Sequence, residues 1–291
     1  MDSSGQRAQV MRAVVWMSGA VGSFIAMAIA ARAVSFELDT FEIMTWRSAV
    51  GLAIMVGVLT VGRRWHLVTT RQLPLHVARN VMHFTGQNLW IFAVTAIPLA
   101  QVFAMEFSSP IWVLVLSPLL LGERMTIMRG LAALLGFAGV LMVARPGAQE
   151  ISPGLITAAL AAICFAFNFV LTKRLTRTIP TPGILFWLTT IQLGLGVVCA
   201  GYDGDLALPT AATLPWLVVI GCAGLLAHFC LTTALSFAPA TVVVPIDFAR
   251  LPMIAVIGAL FYAEPLDWWV LAGALVIFGG NYLNIWSETR A

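Results

Sequence analysis

The sequence predicts an all-α integral membrane protein of ten transmembrane helices, arranged as two inverted five-helix repeats. Three observations predict it. Hydrophobic residues make up 60% of the 291-residue chain and charged residues only 10%, against about 25% charged in a typical soluble domain. Apolar runs long enough to cross a ~30 Å hydrocarbon core, ~20 residues each, follow one another almost end to end. The chain also matches itself at one fixed offset of 141 residues.

The predicted segments span about 12–33, 41–62, 73–94, 98–121, 127–144, 154–174, 182–201, 214–237, 240–262 and 267–287. Short connections carry the breakers: Pro146–Gly147, Asp203–Gly204, Pro180, Pro209 and Pro239. The first run, 13–31, holds no charge. The tail at Ala30–Ala33 resembles a signal-peptidase site, but the run exceeds the ~7–15 residues of a signal h-region, so it reads as a retained helix. Cys164, Cys199, Cys222 and Cys230 all fall in apolar runs and read as helix-packing residues rather than a disulfide framework. Trp65, Trp216, Trp268, Trp269 and Trp286 fall near segment ends, where tryptophan anchors at the lipid–water interface.

Loop charge sets the expected orientation. With the N-terminus in the cytoplasm, the inner side holds Arg7, Arg12, Arg63, Arg64, Arg71, Arg124, Arg129, Lys173, Arg174, Arg177 and Arg290. The outer side holds only Arg32 and Arg145. Excess Lys and Arg mark cytoplasmic loops, so the protein is expected in a bacterial inner membrane with both termini in the cytoplasm. The basic residues are scattered among helix ends rather than gathered in one patch, so no nucleic-acid partner is expected. The lipid bilayer and a small-molecule substrate are the expected partners.

At the 141-residue offset Phe24 meets Phe165, Arg32 meets Lys173 and Trp46 meets Trp187. Leu73–Pro74 meets Leu214–Pro215, Pro98 meets Pro239, Glu106–Phe107 meets Asp247–Phe248, Glu123 meets Glu264 and Gly139 meets Gly280. Matched acids, prolines and tryptophans in one ungapped register indicate two copies of one unit, residues 1–149 and 150–291. Five crossings per unit is an odd number, so the second copy enters from the opposite side. Such inverted repeats recur in secondary carriers that alternate access to a midplane site.

The LLLGERMT that ends the fourth segment, its counterpart FYAEPLDW, and the glycine-rich LAALLGFAGVLMVARPG resemble the EamA-type carriers of the drug/metabolite transporter superfamily. The resemblance covers nearly the whole chain, once per half. It implies ten helices, an inverted repeat and export or exchange of small metabolites. The second copy departs from the pattern, with Pro265 where the first has Arg124.

The chemistry sits in the acids. Glu106 lies about two turns in from the outer face and Asp247 about two turns in from the inner face. An ion at the bilayer centre costs roughly 2.5–3.5 kcal/mol on an insertion scale, so each should be paired, hydrated or protonated. Arg250 lies three residues from Asp247, on the same helical face. Glu106 has no basic residue within four positions and is expected to be protonated or to meet Arg47 or Arg79. Pro110 frees the carbonyl of Glu106, and Pro245 and Pro252 free those of Thr241 and Phe248. Kinked helices four and nine should therefore line a wet cavity.

Asn80, His83, Gln87 and Trp90 form one helical stripe suited to hydrogen-bonding and stacking on a polar ligand. Interhelical bonding alone would also place such residues there. His228 and Thr232 in the second half, and Phe165, Asn168 and Thr172 on segment six, extend the set. Arg47 reads either as a snorkelling residue or as a cavity cation. Glu123 and Glu264 precede the next helix and read as caps at its positive end. Gly130, Gly136, Gly139, Gly273, Gly279 and Gly280 read as packing positions between segments five and ten.

The expected function is a secondary exporter or exchanger of small organic metabolites, with amino acids the leading candidate. The candidate substrate-binding residues are His83, Gln87, Trp90, Glu106, Phe165, Asn168, His228, Asp247 and Arg250, with Glu106 and Asp247 the candidate proton-coupling groups. Arg250 would take a carboxylate, Asp247 or Glu106 an ammonium, and Trp90 or Phe165 a side chain. Alternatives are nucleoside-like solutes such as S-adenosylmethionine, cationic drugs, or a different class altogether, a channel or membrane assembly protein. No G-x-x-x-x-G-K loop occurs, so ATP is not the energy source within this chain. A membrane aspartyl protease needs two Asp residues sharing a site. Only Asp247 lies in a membrane segment and no H-E-x-x-H occurs, so neither an enzyme nor a metal or cofactor is expected.

Overall fold

The computed structural model describes residues 3–122, 126–145, 152–202, 206–263 and 267–290. The features expected at Glu123, Arg124, Glu264 and Pro265, the Pro146–Gly147 and Asp203–Gly204 breakers, and the junction at 149–150 lie outside these residues.

The chain is an all-α membrane protein. Its helices are α1 (Ser3–Val34), α2 (Thr40–Val61), α3 (Leu73–Ala96), α4 (Leu99–Glu106), α5 (Ser109–Leu121), α6 (Ile127–Ala144), α7 (Pro153–Thr176), α8 (Thr181–Ala200), α9 (Leu214–Phe237), α10 (Ala240–Ile246), α11 (Arg250–Tyr262) and α12 (Trp268–Arg290). Together they make ten crossings. The fourth crossing is the broken pair α4–α5 and the ninth the broken pair α10–α11, joined by the 3₁₀ turn Asp247–Ala249. Six segments are long and apolar enough to span by themselves, and Ile127–Met142, Met253–Tyr262 and Leu271–Gly280 are shorter apolar helices. Large apolar side chains such as Leu119, Leu134, Val198, Leu260 and Leu275 face outward, as they must where the surroundings are lipid tails rather than water.

Local chemistry places the ends. Asp39 and Glu42 form a reciprocal capping box at α2, each bond 2.8 Å long. The hydroxyls of Thr126 and Ser152 cap α6 and α7. Proline occupies the first turn of α3 and of α9, where its missing N–H costs nothing. The fourth and ninth crossings were expected to bend but to remain single helices. Instead each is interrupted at its acid. Pro110 cannot continue the backbone ladder, so α4 ends at Glu106 and α5 starts afresh, with the Ser109 hydroxyl donating to the Glu106 carbonyl.

The packing respects exchange of the two halves. The most extensive helix contacts are α1 with α9, α3 with α7, α2 with α8 and α6 with α12. Swapping the repeats turns the first pair into the second and leaves the other two unchanged. The α6–α12 contact is close because Gly139 and Gly280 lie in it: a Cβ on Gly139 would sit 2.6 Å from the Gly273 carbonyl oxygen, and one on Gly280 3.0 Å from that of Ala132. Gly130, Gly136 and Gly279 were expected to serve the same contact. A Cβ at any of them would meet nothing within 4 Å, so that packing does not require them to be glycine.

Ten crossings return α12 to the face where α1 begins, here the terminal face; the other is the distal face. Each face carries an indole bond between the halves. On the distal face Trp46 Nε1 donates to the Ala207 carbonyl at 3.0 Å, while Glu42 Oε1 accepts from the Ala207 N–H at 2.7 Å. On the terminal face Trp187 Nε1 donates to the Thr69 carbonyl at 2.8 Å, with Gln72 bonded to Thr178 beside it. Trp46 and Trp187 are the tryptophans matched by the repeat. Each ties the start of its own repeat's second crossing to the loop of the other repeat.

Candidate functional site

The two helix breaks bring the acids together between the repeats. Arg250, at the start of α11, donates through one amino group to Glu106 Oε1 at 2.7 Å and to Asp247 Oδ2. Glu106 Oε2 accepts from Trp90 Nε1 of α3 at 2.7 Å. Arg250, Glu106 and Asp247 are 2%, 7% and 5% exposed. The guanidinium lies over the rings of Phe24 and Phe103, 4.8 Å from each centroid, a cation–π arrangement. Each charge-assisted bond returns about 1.5–3 kcal/mol, comparable to the insertion cost of one ion. Such bonds offset part of the cost of burying the three groups, and with both carboxylates ionised the cluster would carry one formal negative charge.

The partner of Glu106 differs from expectation. Arg47 and Arg79 were the foreseen cations, yet Arg250 reaches Glu106 across 144 residues of sequence. The Asp247–Ala249 turn carries Arg250 to the α4 break, which helix periodicity alone does not foresee. The geometry also alters the role expected of Arg250: it is already engaged by two carboxylates rather than open to a ligand's.

The polar stripe of α3 faces inward and divides into two environments. Trp90 serves the acid cluster. One turn away, Gln87 Oε1 accepts from Arg47 at 2.8 Å. Arg47 is buried, so it is an interior cation and not a snorkelling one. His83 packs edge-on against His228 with ring centroids 4.5 Å apart, and its Nδ1 meets Gln192 Nε2 at 2.9 Å. Asn80 is spent on the His76 carbonyl and on Arg79, which also donates to Thr172 at 3.0 Å. Phe165 tilts against His83, and Phe24 meets His228 edge-on.

Two small hollows adjoin at His228. One is lined by His83, Gln87, Trp90, Glu106, Phe165, Asn168, Asp247 and Arg250, together with Phe24, Met27 and Phe169. All nine expected site residues line it, since His228 belongs to both hollows. The other is lined by Arg47, Ser48, Thr189, Gln192 and His228. Each has a cavity volume of ≈ 20 Å³, room for about one water. Both indole bonds are made in this structure. Several buried polar atoms here lack a partner in the described structure: Asn168 Oδ1, Gln192 Oε1, both ring nitrogens of His228, Asp247 Oδ1 and Arg250 Nε. Sequence reasoning did not single out Gln192; its segment is apolar, and its long-range contacts with the Asn80 carbonyl and with His83 reveal it.

This arrangement is a polar, two-repeat centre held inside lipid-facing helices. The EamA-like transporter family matches the chain twice, over residues 11–145 and 152–286. The chain belongs to the EamA-like transporter family. Its relatives include an S-adenosylmethionine uptake transporter of Rickettsia bellii, 25% identical over 88% of this chain and 87% of the relative. A riboflavin transporter of Brucella anthropi is 31% identical over 81% and 84%. A pseudopaline exporter of Pseudomonas aeruginosa is 27% identical over 88% and 89%. One solved structure aligns with TM-score 0.72 over 99% of this chain and 98% of its own, at 18% identity, which establishes the shared fold. This EamA-family protein is thus a membrane transporter of small metabolites.

Proposed function

We propose that this protein is a secondary carrier that exports or exchanges zwitterionic organic metabolites, amino acids and amino-acid derivatives, across a bacterial inner membrane by alternating access. Residues 1–149 and 150–291 act as its two moving units, and both termini lie in the cytoplasm. The observation that carries the reading is the Trp90–Glu106–Arg250–Asp247 cluster, assembled from both repeats at two helix breaks. With both acids ionised, two carboxylates against one guanidinium suit a ligand cation. Asp247 Oδ1 has no partner and is available to an incoming ammonium or sulfonium-bearing chain. Phe165, Phe24 and Trp90 offer apolar and stacking surface beside it. The R. bellii relative's name makes S-adenosylmethionine, an amino-acid derivative with a cationic centre, the first solute to test. Glu106 and Asp247 are the groups through which a proton would couple.

Two tied faces support alternation. Opening the distal face requires release of the Trp46 bond together with the neighbouring Glu42–Ala207 bond, and opening the terminal face requires release of the Trp187 bond together with Gln72–Thr178. The test is counterflow of labelled S-adenosylmethionine and of labelled amino acids into proteoliposomes. The reading expects exchange of at least one zwitterion, reduced at least tenfold in Glu106→Gln and Asp247→Asn at near wild-type folded yield. Wild-type flux in both variants would remove the cluster from the transport path.

A further inference from the structure

The second hollow is built differently from the first. Arg47 and Arg79 are buried side chains whose acceptors are all neutral: Gln87 Oε1 and Met44 Sδ for the one, Thr172 Oγ1 and Asn80 Oδ1 for the other. Neither meets a carboxylate among the described residues, and Arg79 keeps one amino group without any partner. An unpaired cation this deep is expensive, and such groups mark ligand pathways. Arg47 Nε and its second amino group lie against Gly224. A Cβ on Gly224 would sit 2.7 Å from Nε, so the absent side chain is what admits the guanidinium. Across the same hollow stand His228, with both ring nitrogens unpartnered, and Gln192, with a free Oε1.

We infer that Arg47 and His228, supported by Arg79, form an anion subsite that takes the carboxylate of the transported solute. This deepens the carrier reading and rests on it: the centre then has a negative pole at Glu106–Asp247 and a positive pole at Arg47. The poles are linked by adjacent turns of α3, through Trp90 and Gln87, whose backbone positions differ by about 5 Å of helix rise. The subsite therefore selects solutes carrying both a cation and a carboxylate a few bonds apart. It also moves the carboxylate contact from Arg250, which already holds two acids, to Arg47. Planar guanidinium donors suit a carboxylate because two N–H groups can address its two oxygens.

The probe is acetate. Thermal unfolding of the detergent-solubilised full chain is followed as sodium acetate replaces sodium chloride at constant ionic strength. Binding to the folded state raises Tm by mass action. A saturable acetate-specific rise is expected in the wild type and in Glu106→Gln, from molecules in which the water-sized hollow at Arg47 has widened to admit the ion. It is lost in Arg47→Gln and in Gly224→Ala, which displaces the guanidinium while keeping its charge. The assignment is overturned if acetate does no more than chloride in the wild type, or if the rise survives in Arg47→Gln. Should Arg47→Gln not fold, Gly224→Ala and the wild-type titration still decide. An acetate response in a protein that exchanges no zwitterion in counterflow would instead sink the carrier's substrate assignment and leave the subsite standing.

Discussion

Replacing Trp187 with Phe keeps most of the ring and removes one donor. The bond lost is a neutral N–H to a backbone carbonyl, 2.8 Å long, on the terminal face. A net 0.5–1.5 kcal/mol is typical of such a bond, which is roughly a two- to tenfold change in an equilibrium constant. If the bond exists only while the terminal face is closed, the ratio of terminal-open to distal-open molecules should rise by that factor. Trp46→Phe, which removes the 3.0 Å bond on the distal face, should shift the ratio by a similar factor the other way. The two residues sit on opposite faces, so their effects should add as free energies, and the double variant should return near the wild-type ratio. Spin-label distances read the populations, after replacement of the four native cysteines. Labels at Phe36 and Leu208 report the distal face, and labels at Arg63 and Arg174 the terminal face; all four positions are exposed. Shifts of the same sign from both substitutions, or from neither, would refute the reasoning.

Gly139→Ala should lower thermal stability by about 1–3 kcal/mol, the usual cost of overpacking, because the new methyl meets the Gly273 backbone of α12; Gly130→Ala, also within α6 but meeting nothing, should leave stability unchanged or raise it by up to about 1 kcal/mol in the same melt. Arg145 and Asp267 pair on the distal face with both side chains partly exposed, and exposed pairs contribute about 0–1 kcal/mol. Arg145→Gln should therefore leave Tm within a degree or two and leave counterflow unchanged.

Much of this architecture is legible in the chain. Hydropathy shows the crossings, and the fixed offset shows that Trp46 and Trp187 are counterparts, because both signals are periodic and local. Glu106 and Asp247 stand out as isolated charges in apolar runs, and Trp90, Gln87 and His83 as a polar stripe. What stays hidden depends on distance between helices. Arg250 was assigned to Asp247 from a three-residue spacing, but its bond to Glu106 follows from where the α4 break meets the Asp247 turn. The partners of Trp46 and Trp187 are loop carbonyls, which every residue possesses and no pattern marks. Gln192 looks like a lone amide in an apolar helix until the fold sets it beside His83.

Asn168 offers the most direct probe of a hydrated chamber served from both faces. It is 1% exposed, lines the hollow beside the acid cluster and has no partner for its Oδ1. The measurement is labelling of Asn168→Cys, in a chain stripped of its native cysteines, by a membrane-impermeant maleimide added to one side of oriented vesicles at a time. Alternating access predicts slow labelling from each side and protection by a transported zwitterion. No labelling from either side, in protein that is folded and intact, would mean a sealed core and would contradict the account.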